Sequence, residues 1–138
     1  MPIIGNGDIA SAIIDQIGKV FFASGVSNSS CTDCYEFQRE KDLLLQQSKF
    51  SHIVYFSTLS IYYANTPYVR HKKIMERLVK DNFEITTIMR IGNITWGNNP
   101  HTLLNHLKIH PESERKDVIR YLIDKKEFQH WLSLIPCW

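Results

Sequence analysis

Four short apolar runs, each separated from the next by a helix-length segment, constrain this chain more than any other feature. They are "PIIG" (2–5), "KVFFAS" (19–24), "SHIVYFST" (51–58) and "FEITTIMRI" (83–91). Near-continuous apolar character, rather than strict alternation, is the pattern of strands covered on both faces. The intervening segments carry helical spacing. Ile9, Ala10, Ile13, Ile14 and Ile17 recur through 8–18, and Gly18 is a natural stop. Phe37 and Leu43 to Leu45 supply a buried face for 35–49, and Val69, Ile74, Met75, Leu78 and Val79 supply one for 67–81. Strands alternating with helices predict an α/β fold, a three-layer αβα sandwich around a reduced parallel sheet of about four strands.

Beyond Gly97 the pattern reads as helical. "NPHTLLNHLKIH" has Pro100 near its first turn, and "PESERKDVIRYLIDKKEFQHWL" carries Val118, Ile119, Leu122, Phe128, Trp131 and Leu132. The expectation is a single domain over 1–138, with the sheet and its covering helices in 1–97 and a helical tail in 98–138. A net charge of +2 with no basic stripe gives no support for a nucleic-acid partner. No apolar stretch approaches the roughly 18 residues that span a bilayer. The start "MPIIGNGDIASAII" has no basic n-region, and Asp8 interrupts its apolar run, so no membrane partner and a cytoplasmic location are expected.

The three cysteines argue against a disulfide framework, and Cys31 and Cys34, a C-x-x-C, lack a second ligand pair. They read as reduced thiols. His106 and His110 stand four apart, with His101 a turn and a half earlier, but no carboxylate or cysteine completes a set and no metal site is assigned. Trp96, Trp131 and Trp138 read as packing residues rather than a stacking platform.

Gly5, Gly7 and Ala10 form G-x-G-x-x-A between a predicted strand and a predicted helix. The first glycine permits the turn, the second lets backbone approach a pyrophosphate, and the small third residue allows close packing. Such turns also join strands to helices for purely structural reasons. The usual acidic companion is missing, because the second run ends in Ala23-Ser24-Gly25, with Asp33 and Glu36 well downstream. A serine-rich end could sit near a 2′-phosphate, but no arginine is close by in sequence. Tyr68 and Lys72, four apart, share a helix face, where an ammonium would lower the phenol pKa and make it a usable acid/base. Thr58 or Ser57, at the end of the preceding run, could hydrogen-bond a substrate oxygen. The same pair also arises on ordinary helices.

Together these motifs resemble the extended short-chain dehydrogenase/reductase family, the NAD-dependent sugar epimerases and dehydratases, in a shortened form. "IIGNGDIASAI" is similar to its glycine turn and "VYFSTLSIY" to its serine/threonine strand end. "YVRHKKIMERLV" resembles its Tyr-x-x-x-Lys helix and "IMRIGNITWG" its Arg-x-x-Asn-Val-Tyr-Gly segment. The resemblance implies a Rossmann-like fold and NAD or NADP as cofactor. Gly5, Gly7, Ala10, Ala23 and Ser24 would lie along the cofactor. Thr58 would take the serine/threonine role, Tyr68 would be the acid/base, and Lys72 would bind the nicotinamide ribose and tune Tyr68. Arg90 and Asn93 would shape the floor under nicotinamide and substrate. It further implies hydride transfer at a carbon of a nucleotide-linked sugar, in surface-polysaccharide biosynthesis, by a homodimer paired through helices 35–49 and 67–81.

The chain departs from that pattern. "KVFFASGVSNS" matches the family's fourth strand better than its second, so strands two and three, which carry the adenosine pocket, are missing. The segment from Thr58 to Tyr68 is short, and the chain ends at "LSLIPCW" where family members continue into a substrate domain. A non-catalytic nucleotide- or ligand-binding module is the alternative reading. A partner subunit docking through its Leu-, Ile- and Trp-rich end is a third.

Overall fold

The structure, a computed structural model, describes residues 3–14, 16, 18–100, 102–109 and 121–136. Strand β1 (Ile3–Ile4) leads to helix α1 (Asp8–Ala12), β2 (Lys19–Phe22), α2 (Cys34–Leu45) and β3 (His52–Thr58). A 3-10 turn (Leu59–Tyr62) precedes α3 (Pro67–Asn82), which is followed by β4 (Ile85–Ile91). These strands form one parallel sheet in the order β1-β2-β3-β4, with Val20 opposite Ile53 and Ile53 opposite Thr86. The fold is α/β, with helices on both faces of the sheet.

Consecutive strand residues sort to opposite faces. Phe21, Val54 and Phe56 pack against Ala12 and Ile13, and against Phe128 and Leu132 of α5 (Lys125–Ser133). Phe22, Ile53 and Tyr55 point the other way, against Leu44 of α2 and Met75 and Val79 of α3. Helix α1 therefore lies opposite α2 and α3, although all three crossovers step in the same direction across the sheet. The β1–α1–β2 crossover thus has the opposite hand to the other two, whereas such crossovers are nearly all of one hand. Among the described residues the strand order also runs without reversal, with no switch point of the kind at which open α/β sheets seat dinucleotides.

Local chemistry sets the helix starts. The Thr66 side chain accepts from Val69 N–H at 3.2 Å, and Pro67 occupies the first turn of α3. Asp33 caps α2 by accepting from Tyr35 N–H at 2.9 Å. Asp124 and Glu127 form a reciprocal capping box at α5.

Several sequence expectations are corrected. Helix α1 is five residues long and ends where Ile13 turns extended to enter the core, leaving Ile14 exposed. Helix α2 stops at Leu45. Ile74 faces solvent, because the buried stripe of α3 runs through Tyr68, Val69, Lys72, Met75, Glu76 and Val79. The region after Gly97 is not wholly helical. It contains α4 (Leu103–Ile109) and the strand β6 (Leu122–Ile123), which pairs in parallel with β5 (Asn93–Ile94). Gly92 makes that pairing possible, since a Cβ there would stand 2.5 Å from the Tyr121 carbonyl oxygen. The expected Ile17, Val118 and Ile119 positions, with His101, His110, Cys137 and Trp138, lie outside the described residues.

Candidate active site at the strand ends

Three segments distant in sequence meet at the carboxyl ends of β1 and β2. Gly5 has φ of +118°, and a Cβ on it would lie 2.5 Å from the Ala23 carbonyl oxygen, so both the backbone angle and the approach require glycine. Ala23 N–H donates to the Ile4 carbonyl at 2.8 Å. Two residues on, a Cβ at Gly25 would lie 2.7 Å from Lys72 Nζ. Val26 packs in one cluster with Tyr68 and Val69. The glycine turn, the Ala23–Val26 loop and the Tyr68–Lys72 helix face are therefore contiguous.

The centre of this region is a carboxylate. Glu40 of α2 is 0% exposed and accepts from four directions. Val26 N–H donates at 2.7 Å, His71 Nε2 at 2.9 Å and Lys72 Nζ at 3.2 and 3.3 Å, and the Tyr55 hydroxyl completes the set. Lys72 also donates to the Tyr55 oxygen at 3.2 Å. Burial works to raise the Glu40 pKa, but the hydrogen bond from His71, the charge of Lys72 and the bonds from Tyr55 and Val26 outweigh it and hold the group at about 2. An ionised carboxylate only accepts, so the His71 proton sits on Nε2. Its Nδ1 is the one buried side-chain polar atom without a hydrogen bond among the described residues, and Phe37 stacks on the ring at 4.3 Å.

Lys72 does not reach the Tyr68 hydroxyl. Its ammonium lies over the ring face, 5.5 Å from the centroid, held there by Glu40 and Tyr55. Burial, and secondarily the Glu40 charge, push the Tyr68 phenol above its ordinary range. The expected lowering of the phenol by Lys72 is thus reversed in this arrangement. Burial likewise pushes Lys72 down from the ordinary lysine range, against the opposing pull of Glu40.

A second cluster occupies the ends of β3 and β4. The Arg90 guanidinium forks onto Glu76 at 2.6 and 3.1 Å and donates to the Tyr62 hydroxyl at 2.6 Å. Ser57 Oγ donates to the same Glu76 carboxylate at 2.6 Å. Thr58 accepts from Ser60 N–H at 3.1 Å and so caps the 3-10 turn, while its own proton stays available to another acceptor. Beside this cluster a cleft of about 400 Å³ opens between Leu59, Arg90, Gly92, Tyr121, Glu127 and Trp131. Trp131 is 56% exposed there, in contrast to its expected packing role, whereas Trp96 does pack, with its ring 5.4 Å from that of Phe128.

The remaining anticipated residues divide by what holds them. Gly7 ends the glycine turn with nothing within 4 Å of a Cβ, leaving an open approach to the start of α1. The neighbouring Asp8 carboxylate is taken up by the amides of Asn98 (3.1 Å) and Asn99 (2.9 Å). Ala10 is buried. Ser24 accepts from Arg39 through both its carbonyl (3.0 Å) and its hydroxyl (3.3 Å), so an arginine is close in space although none is close in sequence. Asn93 is engaged with Tyr121, whose carbonyl accepts from its backbone at 2.8 Å and its side chain at 3.2 Å, and serves the β5–β6 pairing. Cys31 and Cys34 are free thiols, and among the described residues no group of His, Cys, Asp and Glu could hold a metal. No helix among them is long and apolar enough to cross a membrane.

Sequence reasoning missed Glu40, His71, Tyr55 and Glu76. A signal was present, since Phe37, Glu40 and Leu44 share the inward face of α2, and Lys72 and Glu76 interrupt the buried stripe of α3. A charge on an apolar stripe calls for a buried partner. Comparison with protein families, with curated proteins and with solved structures finds no match.

Proposed function

We propose that this chain is a shortened, Rossmann-like oxidoreductase of the epimerase/dehydratase type, acting on a nucleotide-linked sugar with a nicotinamide cofactor, NAD or NADP. The observation that carries this reading is the convergence of the glycine turn, the Ala23–Val26 loop and the Tyr68–Lys72 face at one end of the sheet. The open approach at Gly7 suits a phosphate, and Lys72 suits the ribose next to the nicotinamide. Among the described residues no strand flanks the other edge of β1, where the adenosine half would lie.

When bound, the cofactor supplies the hydride acceptor or donor. The protein's part is proton movement and positioning. Tyr68 takes or returns the sugar hydroxyl proton, Thr58 donates to the substrate oxygen, and Arg90 with Glu76 stiffens the neighbouring strand ends. The cleft beside Leu59 offers Tyr121 and Trp131 as stacking faces for the sugar and its nucleotide. The setting is surface-polysaccharide biosynthesis, and the assembly a homodimer through α2 and α3.

One observation favours a second reading, a ligand-binding module without turnover. Lys72 is committed to Glu40 and Tyr55, and the Tyr68 phenol is pushed up rather than down. Turnover of a nucleotide-sugar by the wild-type chain separates the two readings, and Tyr68→Phe then tests the acid/base. Under the enzymatic reading that substitution abolishes turnover while leaving cofactor affinity nearly unchanged. Turnover retained in that variant refutes Tyr68 as the acid/base.

A further inference from the structure

We propose that Glu40 is a positioning residue, which fixes the Lys72 ammonium on the β3 side of the Tyr68 ring and keeps it charged there. The importance of Lys72 rests on the oxidoreductase reading above, but its position and charge do not.

A lysine that is 3% exposed loses nearly all of its water, and an isolated ammonium in such a site gives up its proton. Three residues are within reach of its Nζ: Glu40 through both oxygens, Tyr55 through its hydroxyl and its ring at 5.4 Å, and Tyr68 through its ring at 5.5 Å. Only Glu40 among these carries a negative charge. The other charged or titratable groups facing the pair are Arg39 from α2, which opposes the ammonium, and His71 and Glu76 from α3. Arg39 is exposed and paired with Glu36, and Glu76 is forked onto Arg90, so neither replaces Glu40.

Glu40 is itself fixed. Val26 N–H holds one oxygen from the β2 loop, His71 holds it from α3, and Tyr55 holds the other oxygen from β3. The carboxylate therefore locates Lys72 relative to three separate elements. Gly25 closes the arrangement from above, where any side chain would displace Nζ. A residue wanted only for packing at this point of α2 would be apolar, since a well-packed apolar pair is as stable as a buried ion pair or more so.

The test is a titration of the Lys72 side chain by NMR on the whole chain with ¹³C-labelled lysine, the signal being assigned by its loss in Lys72→Met. In Glu40→Gln, Lys72 is expected to lose its proton at clearly lower pH than in the wild type, with Glu40→Asp between the two. An unchanged Lys72 titration in a folded Glu40→Gln variant overturns the proposal. Should Glu40→Gln not fold, Glu40→Asp decides alone, and identity with the wild type overturns it. If turnover is found, Glu40→Gln lowers kcat on the order of tenfold. It then adds less than about twofold to the loss already caused by Lys72→Met, because both act through one group. A full additional loss in that background also overturns the proposal. A wild-type chain that binds no nicotinamide cofactor refutes the oxidoreductase reading, while the Lys72 titration still decides the role of Glu40.

Discussion

Acidification should uncouple the Glu40 cluster in a way that can be measured. The group drops from an ordinary 4.5 to about 2 on folding, held there by His71, Lys72, Tyr55 and Val26 against the cost of burial. At roughly 1.4 kcal/mol per pH unit, that difference corresponds to about 3 kcal/mol. A depressed carboxyl contributes its stability in full above its unfolded pKa and loses it as pH falls through the folded one. The contribution is therefore complete at neutral pH, begins to fade near 4.5 and is nearly gone at about 2. Urea unfolding followed by tryptophan fluorescence, from about pH 6 down to about pH 2.5, would compare the wild type with Glu40→Gln. Near neutrality the variant should be less stable by on the order of 3 kcal/mol, since it leaves Lys72 buried without its counter-charge. Glu76, also depressed by Arg90 and Ser57 against burial, weakens both proteins alike in acid. The gap between the two should shrink towards zero as Glu40 protonates. A gap that stays constant across the range would refute the reasoning.

Other substitutions test other parts of the account. Gly5→Ala should cost on the order of 2 kcal/mol or more in urea unfolding, because it forces a Cβ onto the Ala23 carbonyl at positive φ. Phe128→Ala should cost about 3–5 kcal/mol, since this fully buried ring ties α5 to the sheet; a loss under 1 kcal/mol would show that α5 does not pack there. Thr58→Val should lose about 1 kcal/mol of stability through the 3-10 turn, with Thr58→Ser retaining it; equal losses in both would rule out the cap.

Much of the fold was legible because the relevant signals are local. The β3 run "SHIVYFST" is apolar enough to need cover on both faces, and its residues do alternate between two cores. Thr66-Pro67 marks the start of α3 by capping chemistry that involves only neighbouring residues. The shortening of α1 was not legible, because Ile13 is drawn out of helical geometry by Phe21, Val54 and Phe128, which are distant in sequence. Leu122 reads as part of a helical stripe, yet it and Ile123 pair with β5 because Gly92 admits the Tyr121 carbonyl.

The candidate site divides along the same line. Gly5, Tyr68 and Lys72 stood out through spacing, and the Ala23–Val26 loop links the glycine turn to the Tyr68–Lys72 face. Their electrostatics were not readable from spacing, because Glu40 lies 32 residues from Lys72 and 15 from Tyr55. Helix geometry correctly put Tyr68 and Lys72 on one face. The contest between Tyr68 and Glu40 for the ammonium, however, is settled by a carboxylate on a different helix.

Titration of the whole chain with NADH and with NADPH, by cofactor fluorescence and calorimetry, tests the proposed function most directly. Saturable binding of one of them, lost or strongly weakened in Lys72→Met and retained in Tyr68→Phe, is the predicted result. No binding of either at about millimolar concentration, equivalent to less than roughly 4 kcal/mol of affinity, would contradict it.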